Sequence, residues 1–329
     1  MNPESGGMLY FTGNATISGK FTKKAFEEVV KPPLIQLPKL LKILPIAEDE
    51  KVQFSNFVIR GVKAYSARYA LGFRSYYDAF GIEANTVGAL RYVLNQIQLP
   101  SSQFQNLLFT IRENTVFEIE NNPFTEPFAV RLREFDSFKR IFREDKGIYP
   151  EMEKYKAILG QMQQDLENSK PFVPKNAADD AKELKSRLSP AGRIAFSIFR
   201  SEEDSYLNMV KMWISSAGIS PQWDRLFAEP VLQAYEIGMA DAESLVDKTW
   251  KTLLRSDIRP IVKQFPFDKR SDSITDPAEL EAVIHPQGRF WKTATALFAP
   301  VCIRNNSEWQ ERKGFRLPDD MIKTLNDAE

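Results

Sequence analysis

Between Phe54 and Phe80 an apolar residue returns every three or four positions: Phe54, Phe57, Val58, Val62, Tyr65, Tyr69, Phe73, Tyr76 and Phe80, with Gly61 on the same face. A strand repeats with period two and an α-helix with period 3.6, so this spacing predicts one long helix carrying an aromatic stripe. Gly81 is the expected stop. Such a stripe could line a ligand groove, but rings of this size at helical spacing are far more often core, which requires further helices to cover them. One helix cannot bury its own stripe, so the feature points to a helical bundle.

The neighbouring segments supply those helices. Val87, Leu90, Leu94 and Ile97 mark a second helix halted before Pro100, and Ser101 is placed to cap a third bearing Phe104, Leu107, Leu108, Ile111 and Thr115. The pattern breaks over residues 121–127, and Phe128, Leu132, Phe135, Phe138 and Phe142 follow without a clear period. Met152, Tyr155, Ile158, Leu159, Met162 and Leu166 restore helical spacing, and the proline-bearing, polar residues 170–180 then read as a connection. Beyond it come the apolar groups Ile194, Phe196, Ile198 and Phe199, then Met209, Val210 and Trp213, then Leu226, Val231 and Tyr235. Ala242, Leu245, Val246, Trp250, Leu253, Leu254, Ile258 and Ile261 trace an amphipathic helix, with Pro260 near its end and short helices and loops expected after Phe265. A chain of 329 residues exceeds one usual domain of about 100–200. The expectation is a predominantly all-α fold: a disordered lead-in over residues 1–16, an N-terminal helical subdomain over 17–169 and a C-terminal one over 170–329.

The residues that carry common chemistries are scarce. Cys302 and His285 are each the single residue of their type, which removes disulfide frameworks, cysteine-based zinc sites and histidine pairs. Lys and Arg total 44, as do Asp and Glu, so no net field draws the chain to nucleic acid. Gly13-Asn-Ala-Thr-Ile-Ser-Gly19-Lys20-Phe21-Thr22 resembles a phosphate loop in outline only. Such a loop needs four residues between its glycines and a hydroxyl directly after the lysine, and here Phe21 takes that place. A turn leading into a helix is the expectation instead. Glu202-Glu203-Asp204 sits where carboxylates favour a helix start. No apolar run approaches the roughly 18–20 residues that span a bilayer. These readings predict no catalytic, cofactor-binding or metal-binding residues, no cofactor and no enzymatic activity.

Three phrases, in order, resemble the periplasmic region of the IcmF/TssM family of type VI secretion systems. The first is Ile17-Ser-Gly-Lys-Phe21-Thr22-Lys-Lys-Ala-Phe26; the second is the tyrosine-bearing run from Tyr69 to Tyr76, followed by Ser102 and the pair Asn114-Thr115. The third runs from Trp250 into Gln264-Phe265-Pro266-Phe267-Asp268, where Phe265 stands in place of the family's usual tyrosine. The likeness covers residues 17–329. It implies a non-catalytic scaffold segment of a trans-envelope complex, the periplasmic part of a protein anchored in the inner membrane by helices upstream. The implied partners are TssL-like subunits, the lipoprotein TssJ and further copies in the full-length protein. A β-rich lipoprotein-binding domain would follow this segment. Phe21, Thr22, Tyr69, Asn114, Thr115, Trp250, Phe265, Pro266 and Phe267 then become structural motif residues, with Phe265 and Phe267 expected to pin the chain after its helix by burying their rings. A binding module of another envelope machine, such as a type IVB (Dot/Icm) system, is the alternative; a carboxylate-based hydrolase stands behind it.

Overall fold

The computed structural model describes residues 6–13, 15–168, 184–285, 288–305 and 308–328. In chain order the elements are strand β1 (Met8–Phe11), helix α1 (Lys23–Ala25), a π-helical turn (Phe26–Val30), α2 (Lys31–Ile43), α3 (Glu48–Asp78), β2 (Phe80–Glu83), α4 (Val87–Gln98), α5 (Gln103–Thr115), α6 (Glu126–Leu132), α7 (Asp136–Ile141) and α8 (Pro150–Asn168). There follow α9 (Leu184–Arg187), α10 (Pro190–Phe199), α11 (Tyr206–Ser216), α12 (Arg225–Thr249), a second π-helical turn (Trp250–Leu254), α13 (Arg255–Val262), α14 (Pro277–Ile284), α15 (Arg289–Phe298), β3 (Cys302–Asn305), β4 (Glu308–Glu311) and α16 (Met321–Ala328). The fold is predominantly α-helical, as the periodicity requires. It forms two compact units, residues 1–163 with 209–230 and residues 164–208 with 231–329, so each unit is built from two stretches of chain. The connection expected over residues 170–180 lies outside the described residues.

The first unit is organised by the second half of α3. Tyr69, Phe73 and Tyr77 are buried there, as are Leu90, Val93 and Leu94 of α4 and Phe104, Leu107, Leu108 and Ile111 of α5. Helix α6 packs along α3, bringing in the fully buried Phe128. The aromatics that lacked a sequence period thus lie on the short helices α6 and α7 and the turn between them, where Phe135 and Phe138 close around Trp223 at centroid separations of 5.1 Å each. Their spacing was illegible because no one element is long enough to repeat it.

Three local expectations need correction in this unit. The lead-in expected to be disordered through residue 16 instead contributes a strand: Met8–Phe11 pairs antiparallel with Phe80–Glu83, and Phe11 packs on Tyr76 and Phe80. Helix α3 stops at Asp78, so Gly81 is a strand residue. Its missing side chain makes room for Tyr10, whose Cζ would lie 2.5 Å from a Cβ at that position. Ser102, not Ser101, caps α5, its hydroxyl accepting from the Gln105 amide at 3.1 Å.

The second unit has a continuous core in which Leu188, Phe196, Val246, Trp250, Phe290, Phe298, Trp309 and Met321 take part. Helices α10 and α12 approach closely at Gly238, where a Cβ would meet the Ala191 carbonyl oxygen at 2.0 Å. Even alanine is therefore excluded there without moving a backbone. The amphipathic pattern from Ala242 to Ile261 is the latter part of a longer helical path, in which α12, the π-turn and α13 follow one another from Arg225 to Val262. Strands β3 and β4 form a small antiparallel ladder, and Cys302 is buried at its start.

Candidate functional site

The motif residues of the first unit converge although they are far apart in sequence. Gly19–Phe21 forms a tight 3-10 turn, so the segment with the false outline of a phosphate loop is a turn entering a helix. Thr22 then caps α1: its hydroxyl accepts from the Ala25 amide at 3.2 Å and donates to the Gly19 carbonyl at 2.9 Å. An N-cap of this kind contributes about 1 kcal/mol. Residue Asn114, near the end of α5, holds the same helix start from the other side, its Oδ1 accepting from the Lys23 amide at 3.0 Å. Two orphan donors of the first turn are thereby satisfied by two side chains 92 positions apart.

Tyr69 closes the arrangement. Its hydroxyl donates to the Asn114 carbonyl at 2.5 Å, while Tyr65 donates to the Lys20 carbonyl at 2.8 Å. Phe21 lies against Tyr65 and, edge on, against Tyr69, and Phe128 is T-shaped to Tyr69 at 5.0 Å and stacked on Phe26 at 4.0 Å. Thr115 is buried beside this layer, its hydroxyl returned to the Ile111 carbonyl at 2.7 Å. Burial pushes the Tyr65 phenol up to about 12. Burial also holds the Tyr69 phenol well above its usual range, with the charges of Tyr65 and Glu27 adding to the effect. Both phenols therefore stay protonated donors across any physiological pH, which suits a latch and not a proton shuttle. Phe26, which closes the first motif phrase, and Phe128 belong to this latch too; the helical spacing breaks just before Phe128, so only the folded chain reveals its place.

The motif residues of the second unit serve different positions. Trp250 is fully buried and its indole N–H donates to Asp320 Oδ1 at 2.9 Å, while Arg255 pairs with the other oxygen of the same carboxylate at 2.9 Å. An open groove of about 680 Å³ passes this point, with Asp247, Lys251 and Arg316 in its wall. Part of its charge is paired within the wall, Lys251 with Asp247 at 2.7 Å and Arg255 with Asp320 at 2.9 Å, and the Arg316 backbone amide donates to the Glu243 carboxylate at 2.9 Å. Asp320 had no signal in the sequence, since a side-chain pair formed across 70 positions leaves no local pattern.

At Phe265-Pro266-Phe267 the expected burial is not found. The helix ends at Val262, before the motif, and Phe265 and Phe267 are 48% and 39% exposed. The hold on the following segment comes from the backbone instead: the Phe265 amide donates to Ser273 and its carbonyl accepts from Thr275, at 2.8 and 3.0 Å. A proline beside these residues leaves fewer amides to pair, and the two rings flank a turn that reaches solvent. His285 sits at the exposed C-terminal end of α14. Burial raises the Cys302 thiol to about 12, with Glu311 adding to it, which disfavours the nucleophilic thiolate. Among the described residues no three His, Cys, Asp or Glu side chains lie close enough to hold a metal ion.

No family model matches the chain, and no curated protein matches it by sequence. Its fold, however, is shared with two solved structures. One is a chain of a type VI secretion system membrane core complex, at 15% identity and a TM-score of 0.60, with 97% of this chain and 62% of that chain covered. The other is a chain of a type VI membrane complex, at 12% identity and a TM-score of 0.53, with 82% of this chain and 52% of that chain covered. The present chain spans about three fifths of the length of the first and half of the second.

Proposed function

We propose that this chain is a non-catalytic scaffold segment of a type VI secretion membrane complex, corresponding to the periplasmic helical region of an IcmF/TssM-like component. The observation that supports this reading most is the fold shared over 97% of the chain with a chain of a type VI secretion membrane core complex, the same kind of machine that the ordered motif phrases suggest. The latch supports it from a second direction. Motif residues Phe21, Thr22, Tyr69, Asn114 and Thr115 hold one another by caps, phenol hydrogen bonds and ring packing, the construction of a rigid element. On this reading the chain makes and breaks no bond, and its helices act as a spacer and an assembly surface. The partners are other subunits of the complex, TssL- and TssJ-like proteins among them, together with further copies, and its place is the periplasmic side of the inner membrane.

Site-specific photocrosslinking in cells, from exposed positions of the full-length protein, tests the reading. Crosslinks to envelope subunits are the expected result. Crosslinks confined to cytoplasmic proteins would reject it, as would stoichiometric binding of ATP or GTP with magnesium in calorimetric titration of the chain.

A further inference from the structure

Helix α3 runs for 31 residues, yet no residue of its first fourteen, 48–61, is buried. Phe54 is 45% exposed and Phe57 67%, and Gly61 has nothing within 4 Å of where a Cβ would stand. Ala64 and Leu71, also exposed, continue the same face one and three turns further on. Two phenylalanine rings projecting beside a shallow strip of small residues form a surface into which another helix could pack, the rings filling its grooves and the small residues admitting its ridge.

The charges along α3 select the partner. Glu48, Asp49 and Glu50 occupy the first turn, and no acidic residue occurs again until Asp78. Carboxylates at a helix start are favourable in themselves, but that does not account for the unbroken basic stretch behind them. Within that stretch Lys51 pairs with Glu48 and Arg74 with Glu134, whereas Arg60, Lys63 and Arg68 enter no ion pair among the described residues. The helix is acidic at one end of its exposed face and basic along the rest. An anionic lipid surface would meet three carboxylates at the tip. A second α3 laid antiparallel instead brings opposite charges together, and a chain with equal numbers of acidic and basic residues carries no net charge to keep two copies apart.

We propose that the exposed face of α3 pairs antiparallel with the same face of a second copy of this chain. The pairing is isologous and centred near Phe57. This register sets residues 48–50 of one helix opposite residues 64–66 of the other, which brings Asp49 within reach of Lys63 and Glu50 within reach of Arg68. The inference rests on the scaffold reading for its purpose, since it names one surface through which copies would assemble.

Sedimentation velocity on the 329-residue chain tests it, with circular dichroism confirming that each variant keeps its helices. One variant carries Glu48→Lys, Asp49→Lys and Glu50→Lys; a second carries Arg60→Glu, Lys63→Glu and Arg68→Glu. Each alone should self-associate about tenfold more weakly than the parent or less, because like charges then face each other. An equimolar mixture should recover association, since the two faces complement one another again. Phe57→Asp should abolish pairing and decides the question should a triple variant fail to fold. A parent chain that stays monomeric at every concentration overturns the proposal. So does a mixture that recovers nothing, a Phe57→Asp chain that pairs normally, or a parent chain that binds phosphatidylglycerol vesicles through Phe57 without pairing. Photocrosslinks to envelope subunits that persist in a chain shown to be monomeric would remove the pairing and leave the scaffold reading standing.

Discussion

The two halves of α3 share one helical period and carry aromatic residues throughout, but they live in different surroundings. Residues 62–78 bury Val62, Ser66, Tyr69, Ala70, Phe73 and Tyr77, while residues 48–61 bury nothing. The buried half is fixed by tertiary packing against α6 and by hydrogen bonds such as Tyr77 Oη to the Trp223 carbonyl at 2.6 Å. The exposed half has local support: Glu50 reaches back to accept from the Ala47 amide at 3.3 Å, Lys51 pairs with Glu48, and three carboxylates sit at the positive end of the helix dipole. A helix of about fourteen residues is marginal alone in water, yet adding turns to one already nucleated is easy. The packed half is that nucleus. An apolar period therefore reports that a surface wants covering; it does not report whether the cover lies in the same chain.

Substitutions can break or sharpen this contrast. The largest effect is expected from Phe128→Ala, which empties the space between Phe26 and Tyr69 and should lower stability by about 3–5 kcal/mol in urea unfolding followed by tyrosine and tryptophan fluorescence. A loss below about 1 kcal/mol would mean that the aromatic layer is not the anchor of the buried half. Tyr69→Phe keeps the ring and leaves the Asn114 carbonyl without its phenol donor, so a loss of about 1–3 kcal/mol should appear in the same assay. Thr22→Ala removes the cap and should cost about 1 kcal/mol, with Thr22→Ser restoring most of it. Smallest of all is Phe57→Ala, expected to move stability by no more than about 0.5 kcal/mol in a dilute sample where single chains prevail. Should Phe57→Ala prove as damaging as Phe128→Ala, the first half of α3 would have to be packed in the lone chain and the contrast would fail.

Much of the helical framework was readable from spacing. Helices α4, α5 and α8 lie where Leu90, Leu107 and Leu159 recur with their neighbours, because each is long enough to show its period several times. Strands β1 and β2 were missed for the opposite reason: four residues allow two alternations at most, and the pairing partner of Met8 is Glu83, far along the chain. The cap at Ser102 was misplaced by one residue because two adjacent serines offer the same hydroxyl and only backbone geometry chooses between them. At Phe265 and Phe267 composition misled, since an aromatic beside a proline is compatible with either a buried stop or an exposed turn. Phe21, Thr22, Tyr69, Asn114 and Thr115 stood out in the sequence as a set only through a resemblance of phrases. Their joint geometry could not be read there, because the bonds from Asn114 to Lys23 and from Tyr69 to Asn114 exist only once three helices have met.

That arrangement makes tolerance to substitution uneven across the latch. The Asn114 side chain accepts from the Lys23 amide through Oδ1 and donates to the Thr110 carbonyl through Nδ2 at 2.9 Å, so it must be acceptor and donor at once, at one fixed reach. Aspartate would keep the first bond and turn the second into a meeting of two acceptors. Serine is too short for both, and glutamine would carry its amide past them. Phe21, by contrast, is held through ring contacts with Tyr65 and Tyr69, for which another large apolar side chain is a workable substitute. Position 21 therefore tolerates exchange among large apolar side chains, while position 114 accepts no other residue without losing a bond.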